Sequence, residues 1–378
     1  MRKRWYRTIA LLTMGVLLCG CGAQRNTANT EEIQIEEEET QESKTEKTQE
    51  TQETKEEPGE VVGIVFPDKD DKVLRADAQK IKRELEEKEY PVKLVYAGND
   101  GKKQAEQIRQ LVKEKVSALV VCPVNSGDLK DSLKRAKKQG ILVISYDKLI
   151  ANTEDLSYYV GFDYNEIGKE AAEYFVKEKK LDSAKKEKKS YTIEFFMGAL
   201  DDMNGRIQMD AMMSILDPYF DQGVLKCKSL RTAYEDVSIA KGSKEIAGKT
   251  CDNIMKANYM DKPVDLIYVG NDNMVENVVA ALKEQSGFEK NWPVIAASGS
   301  DETVFERLKE KTQALSLYQM RENLPQLCVD LIHQSMQGEE IKNLKTVNNG
   351  TAKIDAVFAK TKTADQSNYQ QVQKQAVK

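Results

Sequence analysis

Short apolar runs alternate with segments of helical periodicity over most of the chain. Four short, largely apolar runs predict strands, at residues 61–66, 92–96, 118–122 and 141–146, and the first is a continuous apolar run typical of a strand buried on both faces. Three segments between them carry apolar residues at helical spacing, at residues 73–88, 104–115 and 129–138. Strands that alternate with helices in this way predict an α/β fold with a parallel, doubly wound sheet.

The alternation restarts after residue 160 and predicts a second unit of the same kind. Its strands are expected at residues 192–197, 266–269 and 294–297. Its helices are expected at residues 165–177, 205–216 and 275–282. About 300 residues are more than one hydrophobic core usually holds, so we expect two doubly wound lobes.

The two lobes are expected to exchange segments late in the chain. We assign residues 61–160 and about 302–322 to the N-terminal lobe. The C-terminal lobe takes residues 161–301 and about 323–362, and residues 363–378 form a tail. Three crossovers form the expected multi-strand hinge, at residues 157–163, 301–303 and 322–324.

The first 21 residues have the pattern of a secretory signal. Four basic residues precede an apolar run at residues 9–18, which is too short for a stable membrane span. The sequence Leu-Cys-Gly-Cys that follows resembles a bacterial lipobox, with Cys21 as the residue that would be lipidated. We expect a mature chain that is extracytoplasmic and anchored by acyl chains to the outer face of the cell membrane. The alternative is a plain cleaved signal with two incidental cysteines.

The acidic balance of the chain belongs to a low-complexity segment after the signal, which we assign to residues 22–60. Residues 24–60 contain 13 acidic and 4 basic residues, a net charge of −9. The signal carries +4 and the whole chain −5, so the residues beyond 60 are neutral on balance. A segment so poor in aliphatic residues predicts a disordered tether that lifts the folded body off the membrane.

Polar residues follow most of the predicted strands. Asp or Asn occurs in five strand-end segments, at residues 66–68, 123–125, 146–148, 270–272 and 298–301, and again at residues 201–204. Ligands of open α/β sheets bind at the carboxyl ends of the strands, and Asp and Asn suit hydroxyl groups. We therefore predict a ligand cleft between the lobes. The alternative is that these side chains cap helices and form turns.

Several classes of chemistry find little support in the sequence. The four cysteines beyond the signal show no CxxC pair or metal spacing, and His333 is the only histidine. We expect no metal, no cofactor and no catalytic residues. Asp201 and Asp202 form the one carboxylate pair considered for an enzyme, and a polar turn is the simpler interpretation. A signal and an acidic tether stand where a regulator would carry a basic DNA-binding headpiece, so we expect no nucleic-acid partner.

From about residue 61 to 358 the chain resembles the xylose-binding and multiple-sugar-binding proteins of bacterial sugar importers. The matching stretches run in order through both predicted lobes: SALVVCPVN, GILVISYDKLI, LSYYVGFDYNEIG, MGALDDMNG, ILDPYFDQG, VDLIYVGNDN and VIAASGSDE. The resemblance implies the type I periplasmic-binding-protein fold. It also implies a monomer that binds a sugar or polyol between two lobes.

The resemblance carries ligand-contacting positions onto this chain, with some departures. It implies that sugar hydroxyls are held by Asp147, Asn204, Asn271 and Asp301. Lys148 replaces a common arginine, and Gln319 aligns with a lysine typical of the xylose type. Two stacking tryptophans of the family align with residues 73–74 and near residue 242, where this chain has none. Possible substitute rings are Phe66, Tyr146, Phe162, Tyr164 and Tyr318.

The resemblance implies binding without bond chemistry. The lobes would close around the ligand by a hinge motion, and an ABC transporter permease would recognise the closed shape. The alternative is a sensor subunit that passes ligand occupancy to a histidine-kinase ectodomain, with a non-pyranose ligand. Gene neighbours distinguish the two, because transporter and kinase genes differ.

Overall fold

The computed structural model describes residues 60–376 of the 378-residue chain. The predicted signal, Cys21 and the tether up to residue 59 lie outside the described residues. Among the residues that are described, no helix is long and apolar enough to cross a membrane.

Thirteen strands and twelve α-helices, with two short 3-10 helices at Ala240–Gly242 and Arg321–Asn323, follow one another along the described residues. In chain order they are β1 (Val62–Phe66), α1 (Lys72–Glu87), β2 (Val92–Tyr96), α2 (Gly101–Lys113), β3 (Ala118–Val121), α3 (Ser126–Lys138), β4 (Leu142–Tyr146), β5 (Tyr158–Gly161), α4 (Tyr164–Lys179), α5 (Leu181–Ala184), β6 (Tyr191–Phe196), α6 (Met203–Asp221), β7 (Leu225–Lys226), α7 (Tyr234–Val237), α8 (Lys244–Asn258), β8 (Leu266–Val269), α9 (Asp272–Lys283), β9 (Val294–Gly299), α10 (Val304–Lys309), β10 (Leu315–Gln319), α11 (Leu324–Met336), β11 (Lys345–Asn348), β12 (Lys353–Phe358), β13 (Thr361–Asp365) and α12 (Tyr369–Ala376).

The strands form two sheets, one in each lobe. The first has the order β11-β12-β5-β4-β3-β1-β2, and the second has the order β13-β10-β9-β8-β6-β7. Pairing is parallel except for β11 with β12 and β13 with β10. The predicted architecture of two α/β lobes with parallel-dominant sheets is confirmed.

The apolar runs form the central strands because helices cover both faces of each sheet. All five residues of β1 and all four of β3 are buried, as continuous apolar runs predict. Polar residues at the strand ends start the next helices. Asp71 accepts hydrogen bonds from the amides of Val73 and Leu74 at the start of α1, and Asn125 caps α3 in the same way.

The late segments belong to the opposite lobes from those predicted. Residues 302–322 were assigned to the N-terminal lobe, but β10 pairs with β9 in the second sheet. Residues 323–362 were assigned to the C-terminal lobe, but β12 pairs with β5 in the first sheet and α11 packs on α1. The sequence analysis did not predict β10, the next parallel strand after β9. Because β10 belongs to the second lobe, the chain returns to the first lobe only after residue 319.

The crossovers shift accordingly. The first, at residues 162–163 between β5 and α4, lies within the predicted range. The predicted crossover at residues 301–303 is wrong, because these residues join β9 to α10 within the second lobe. The second crossover is at residues 320–323, next to the predicted 322–324, and the third is at residues 359–360 between β12 and β13.

The C-terminal segment and the cysteines have structural roles. Strand β13 and helix α12 close the second lobe, where Val372 packs with Phe305 and Tyr318. Cys122, Cys227, Cys251 and Cys328 are buried free thiols. The His333 Nδ1 lies 2.9 Å from the hydroxyl of Tyr90, a contact that joins α11 to the loop after α1.

Gly168 sets the distance between helices α4 and α6. Helix α4 follows the first crossover, and α6 follows the strand-end loop after β6. A Cβ atom on Gly168 would lie 2.1 Å from the backbone oxygen of Gln208. The two helices therefore approach more closely than a side chain at residue 168 permits. Because α6 begins at the interlobe cleft, this approach also fixes the position of the cleft wall.

We predict that Gly168→Ala destabilises the folded body by about 1–3 kcal/mol, the usual cost of overpacking. Alanine improves helix propensity by about 1 kcal/mol, but the clash is with backbone and cannot be relieved by a rotamer change. Urea unfolding measures the difference, with Glu173→Ala at an exposed position of α4 as the control. A Gly168→Ala variant as stable as the control would contradict this account of the helix pair.

Candidate functional site

The strand ends of both lobes open onto one cleft. A cavity of about 870 Å³ is lined by the loops after β1, β3 and β4 in the first lobe and after β6, β8 and β9 in the second. A smaller cavity of about 160 Å³ shares Asp147, Lys148 and Asn271 with it. The small cavity lies against Gln319 at the end of β10 and Arg321 in the second crossover.

The structure brings all six predicted site residues to these two cavities. Asp147, Lys148, Asn271 and Asp301 line the large cavity. Asn204 and Gln319 line the small one. Polar groups of both lobes therefore face a shared gap. That these six residues bind a ligand stays a prediction.

Asp147 has an unusual backbone that its surroundings hold in place. Its φ of 62° lies in the left-handed region, which is sparsely populated by residues other than glycine. The Asp147 amide donates to the carbonyl of Val160 at 2.8 Å, and its own carbonyl accepts from the Tyr159 hydroxyl at 2.8 Å. This conformation turns the chain sharply after β4, so that residues 147–149 line the cleft.

Asn204 joins the two lobes. It lies in the first turn of α6 in the second lobe, and its amide nitrogen donates to the carbonyl of Asp147 at 2.9 Å. Its side-chain oxygen accepts from the amide of Leu149 at 3.3 Å. The residue is 4% exposed. Both halves of the Asn204 amide are thus bound to the strand-end loop of the first lobe.

Asn271 and Asp301 each use one side-chain oxygen locally. The Asn271 oxygen accepts from the amide of Asn273 at 3.2 Å and caps α9. One Asp301 oxygen accepts from the amide of Thr303 at 2.9 Å. The Asn271 side-chain nitrogen and the second Asp301 oxygen are left at the cleft. Helix capping and ligand binding are therefore compatible at these two residues, although the sequence presented them as alternatives.

Lys148 and Gln319 complete the predicted set. Burial opposes the charge of Lys148, but nearby groups that include Asp147 and Asp202 raise its pKa above the ordinary lysine value on balance. Lys148 is exposed on the loop that lines the cleft and remains a cation there. Gln319, the last residue of β10, donates from Nε2 to the Tyr164 hydroxyl at 3.3 Å.

The chain matches a known protein family over most of its length. The family model for the periplasmic binding protein domain matches residues 62–340. The chain belongs to the periplasmic binding protein family.

Its relatives cover most of the described residues. The multiple sugar-binding periplasmic receptor of Rhizobium radiobacter is 28% identical over 316 residues, which are 82% of this chain and 88% of the receptor. The D-xylose-binding periplasmic protein of Escherichia coli K12 is 27% identical over 67% of this chain and 71% of its own.

A solved structure agrees with the fold and with the family. An ABC transporter solute binding protein from Clostridium phytofermentans, with bound β-D-glucose, is 30% identical with a TM-score of 0.74. The match covers 82% of this chain and 96% of that one. This binding protein therefore shares the type I fold of sugar-binding relatives over both lobes.

The apolar part of the large cavity in this binding protein is aliphatic rather than aromatic. Val73, Leu74 and Gly242, the positions aligned with the missing tryptophans, do line the large cavity. Of the five suggested substitute rings, only Tyr164 lines either cavity. Phe66, Tyr146, Phe162 and Tyr318 are buried in the core, where Phe66 packs on Tyr146 with ring centres 5.3 Å apart.

The carboxylate pair considered for catalysis has structural roles. One Asp202 oxygen accepts from the amide of Asn204 at 3.0 Å and caps α6. Burial raises the pKa of Asp202, and Lys148 opposes the shift. Asp201 accepts from the side chain of Asn125 at 3.4 Å, a contact between the two lobes across the cleft. In the part of the chain that the structure describes, no cluster of three potential metal ligands occurs.

Two charged cleft residues were missed or passed over in the sequence. Asp272 belongs to the strand-end segment at residues 270–272, but no role was predicted for it. Both its carboxylate oxygens are buried with no hydrogen-bond partner among the described residues. Burial raises its pKa to about 7, against the lowering effect of Arg307. Arg321 has no role in the sequence-based prediction. It begins a three-residue 3-10 helix after β10, which is too short to show a periodicity, so nothing in the sequence assigned it to the cleft.

We predict that Asn204→Ala lowers the free energy of unfolding of the ligand-free body by about 1–3 kcal/mol, because it leaves the buried amide of Leu149 unpaired and removes one of the two hydrogen bonds to the Asp147 carbonyl. Chemical denaturation measures the change. The matched control is Asp301→Ala, which removes only a local turn contact and should change stability by less than about 0.5 kcal/mol. Equal effects of the two substitutions would contradict the role of Asn204 between the lobes.

Proposed function

We propose that this chain is the substrate-binding component of a sugar importer. It captures a monosaccharide or a related polyol between its lobes and delivers it to an ABC transporter permease. The observation that supports this most directly is the convergence of Asp147, Asn271 and Asp301 from both lobes on one polar gap. Relatives that match both lobes bind sugars by name, and one was solved with β-D-glucose.

The free polar atoms of the cleft suit hydroxyl groups. A sugar hydroxyl donates one hydrogen bond and accepts others. The second oxygens of Asp147 and Asp301 accept, while the Asn271 nitrogen and the Lys148 ammonium donate. A neutral, hydroxyl-rich ligand satisfies both kinds of group at once, whereas an apolar ligand would leave these charges desolvated and unpaired.

The shape of the site favours a small ligand. The small cavity measures about 160 Å³, below the 300–1,000 Å³ of typical drug-sized sites. The large cavity continues it toward solvent. Val73, Leu74 and Leu149 supply an aliphatic surface for the C–H groups of the ligand. Because Tyr164 is the only aromatic residue among the described residues that line the two cavities, we propose that sugar alcohols and furanoses belong in any ligand screen beside aldopyranoses.

The mechanism is lobe closure. Three short crossovers, at residues 162–163, 320–323 and 359–360, connect the lobes and can act as a hinge. Closure removes the ligand from water, so each buried hydroxyl needs a partner from the protein. No bond is made or broken in this proposal, and the carboxylates nearest to the centre have capping or pairing roles.

The binding component is proposed to be a monomeric lipoprotein on the outer face of the cell membrane. The support is the sequence pattern that ends at Cys21, together with the acidic segment that separates it from residue 60. A tether of this composition lets a captured ligand reach a permease in the same membrane.

We predict that a thermal-shift screen of residues 60–378 identifies a monosaccharide or polyol ligand. At 100 times its Kd such a ligand adds about 2.7 kcal/mol of stability. Titration calorimetry should then show that Asp301→Ala and Asn271→Ala each weaken binding about 5- to 150-fold, as expected for a lost buried hydrogen bond worth about 1–3 kcal/mol. Asp131→Ala, at an exposed position of α3, is the control.

A screen in which every sugar and polyol is silent would contradict the proposed function. Binding that survives both Asp301→Ala and Asn271→Ala unchanged would contradict the proposed site instead.

We also predict that Cys21→Ser abolishes incorporation of a labelled fatty acid into the protein expressed in a bacterium. Cys19→Ser, two residues away, is the matched control and should still be labelled, because only the residue after the cleavage site is acylated in this interpretation. Label retained in Cys21→Ser would refute the anchor assignment.

A further inference from the structure

Arg321 lies at the point where the hinge meets the cleft. It starts the short 3-10 helix Arg321–Asn323, in the second crossover between β10 of the second lobe and α11 of the first. Its side chain lines both cavities. We propose that Arg321 is the positioning residue of the ligand site: it fixes the carboxylate of Asp147 toward the cleft and couples that carboxylate to the hinge. This inference rests on the proposed function.

The geometry is a bridge between two carboxylates. Arg321 Nη1 donates to Asp147 Oδ1 at 2.8 Å, and Nη2 lies 2.8 Å from Asp77 Oδ2 in an ion pair that lacks hydrogen-bond geometry. Asp77 belongs to α1 and also accepts from the Tyr146 hydroxyl at 2.9 Å. A guanidinium can hold two oxygens in fixed directions because its donors form a rigid planar fork, which a lysine ammonium lacks.

Asp77 and Asp147 are two largely buried carboxylates close to each other, so they need a cation between them. Asp77 is 8% exposed, and the side chains of Arg321 and Asp147 are 15% and 13% exposed. Burial raises the pKa of Asp77, and the charge of Asp147 adds to the shift, whereas Arg321 and the Tyr146 hydroxyl oppose it. Burial alone would lower the pKa of Arg321, but both carboxylates raise it well above its ordinary value. The guanidinium is therefore a permanent cation between two anions.

The bridge leaves Asp147 with one free oxygen. Its carbonyl is held by Tyr159 and Asn204, and its Oδ1 by Arg321, while Oδ2 makes no hydrogen bond among the described residues. Nε and Nη2 of Arg321 likewise make no hydrogen bond in the described part of the chain, although Nη2 forms an ion pair with Asp77. The second Asp147 oxygen and these donors of Arg321 thus remain for a ligand at the inner end of the cleft.

Because Arg321 lies in the second crossover, it also couples the orientation of Asp147 to the opening and closing of the lobes. Residues 320–323 must change direction when the lobes open, because they join β10 to α11. Asp147 is tied to this crossover through its side chain and to α6 of the second lobe through its carbonyl. Opening of the lobes therefore disturbs the orientation of Asp147, and closure restores it. Ligand binding at Asp147 accordingly favours the closed arrangement.

The experiment separates positioning from general support of the fold. Arg321→Met leaves Asp77 and Asp147 together in a buried site without a cation, so the variant loses both stability and affinity. Asp77→Asn added to Arg321→Met removes the uncompensated charge of Asp77. The double variant should regain most of the lost stability, but its affinity for the ligand found in the screen should stay at least tenfold below that of the wild type.

Arg321→Lys keeps the positive charge but lacks the planar guanidinium fork, so its affinity should lie between those of Arg321→Met and the wild type. Arg206→Met, which breaks a half-exposed ion pair with Glu235, is the control.

The pH dependence of stability gives a second readout. In Arg321→Met, burial and Asp147 hold the pKa of Asp77 above the unfolded value, so the folded state binds the proton more tightly. Stability relative to wild type is then highest below about pH 4, the ordinary carboxyl pKa, and falls as the pH rises above it. The double variant should lose this dependence.

Three outcomes would overturn the inference. They are an affinity of Arg321→Met within twofold of wild type, a double variant that regains affinity together with stability, and a crystal structure of the ligand-free double variant with the Asp147 carboxylate unmoved. The crystal structure tests the positioning role of Arg321 even if no sugar binds. Absence of binding by the wild type counts against the proposed function alone.

Discussion

The strand-end loop at Asp147 is the constraint on which the site depends. Its left-handed backbone is held by hydrogen bonds to Val160 and Tyr159 in its own lobe and to Asn204 in the other. Strained backbone of this kind persists only where the surrounding contacts determine it. The same contacts keep the two lobes in register around the cleft, so that a change at the loop alters both the ligand site and the lobe geometry.

The central strands could be predicted because a strand buried on both faces leaves a continuous apolar run. The family resemblance added the type I fold and the residues at the cleft. The late exchange between lobes was not predictable in the same way. Strands β11 and β12 lie at one edge of their sheet, where β11 has no buried residue and β12 begins with alternating exposed and buried residues, so their apolar signal is weak. Without β10 as a strand, the return of the chain to the first lobe could not be placed.

Side-chain roles were harder to predict than positions. Asn271 and Asp301 lie where the sequence put them, and each also makes a local backbone contact that the sequence offered as an alternative. Asn204 lies at the cleft, but its amide is bound to the opposite lobe. Arg321 was missed because its partners, Asp77 and Asp147, are far from it in the chain. Hydrogen-bond partners across such distances depend on the tertiary structure.

The central claim is that groups from both lobes surround one small polyhydroxylated ligand. A crystal structure of the protein with the best ligand of the screen tests this most directly. The account predicts hydroxyl groups within hydrogen-bond distance of Asp147 in the first lobe and of Asn271 and Asp301 in the second. A ligand that contacts only one lobe, or that binds away from these three residues, would contradict it.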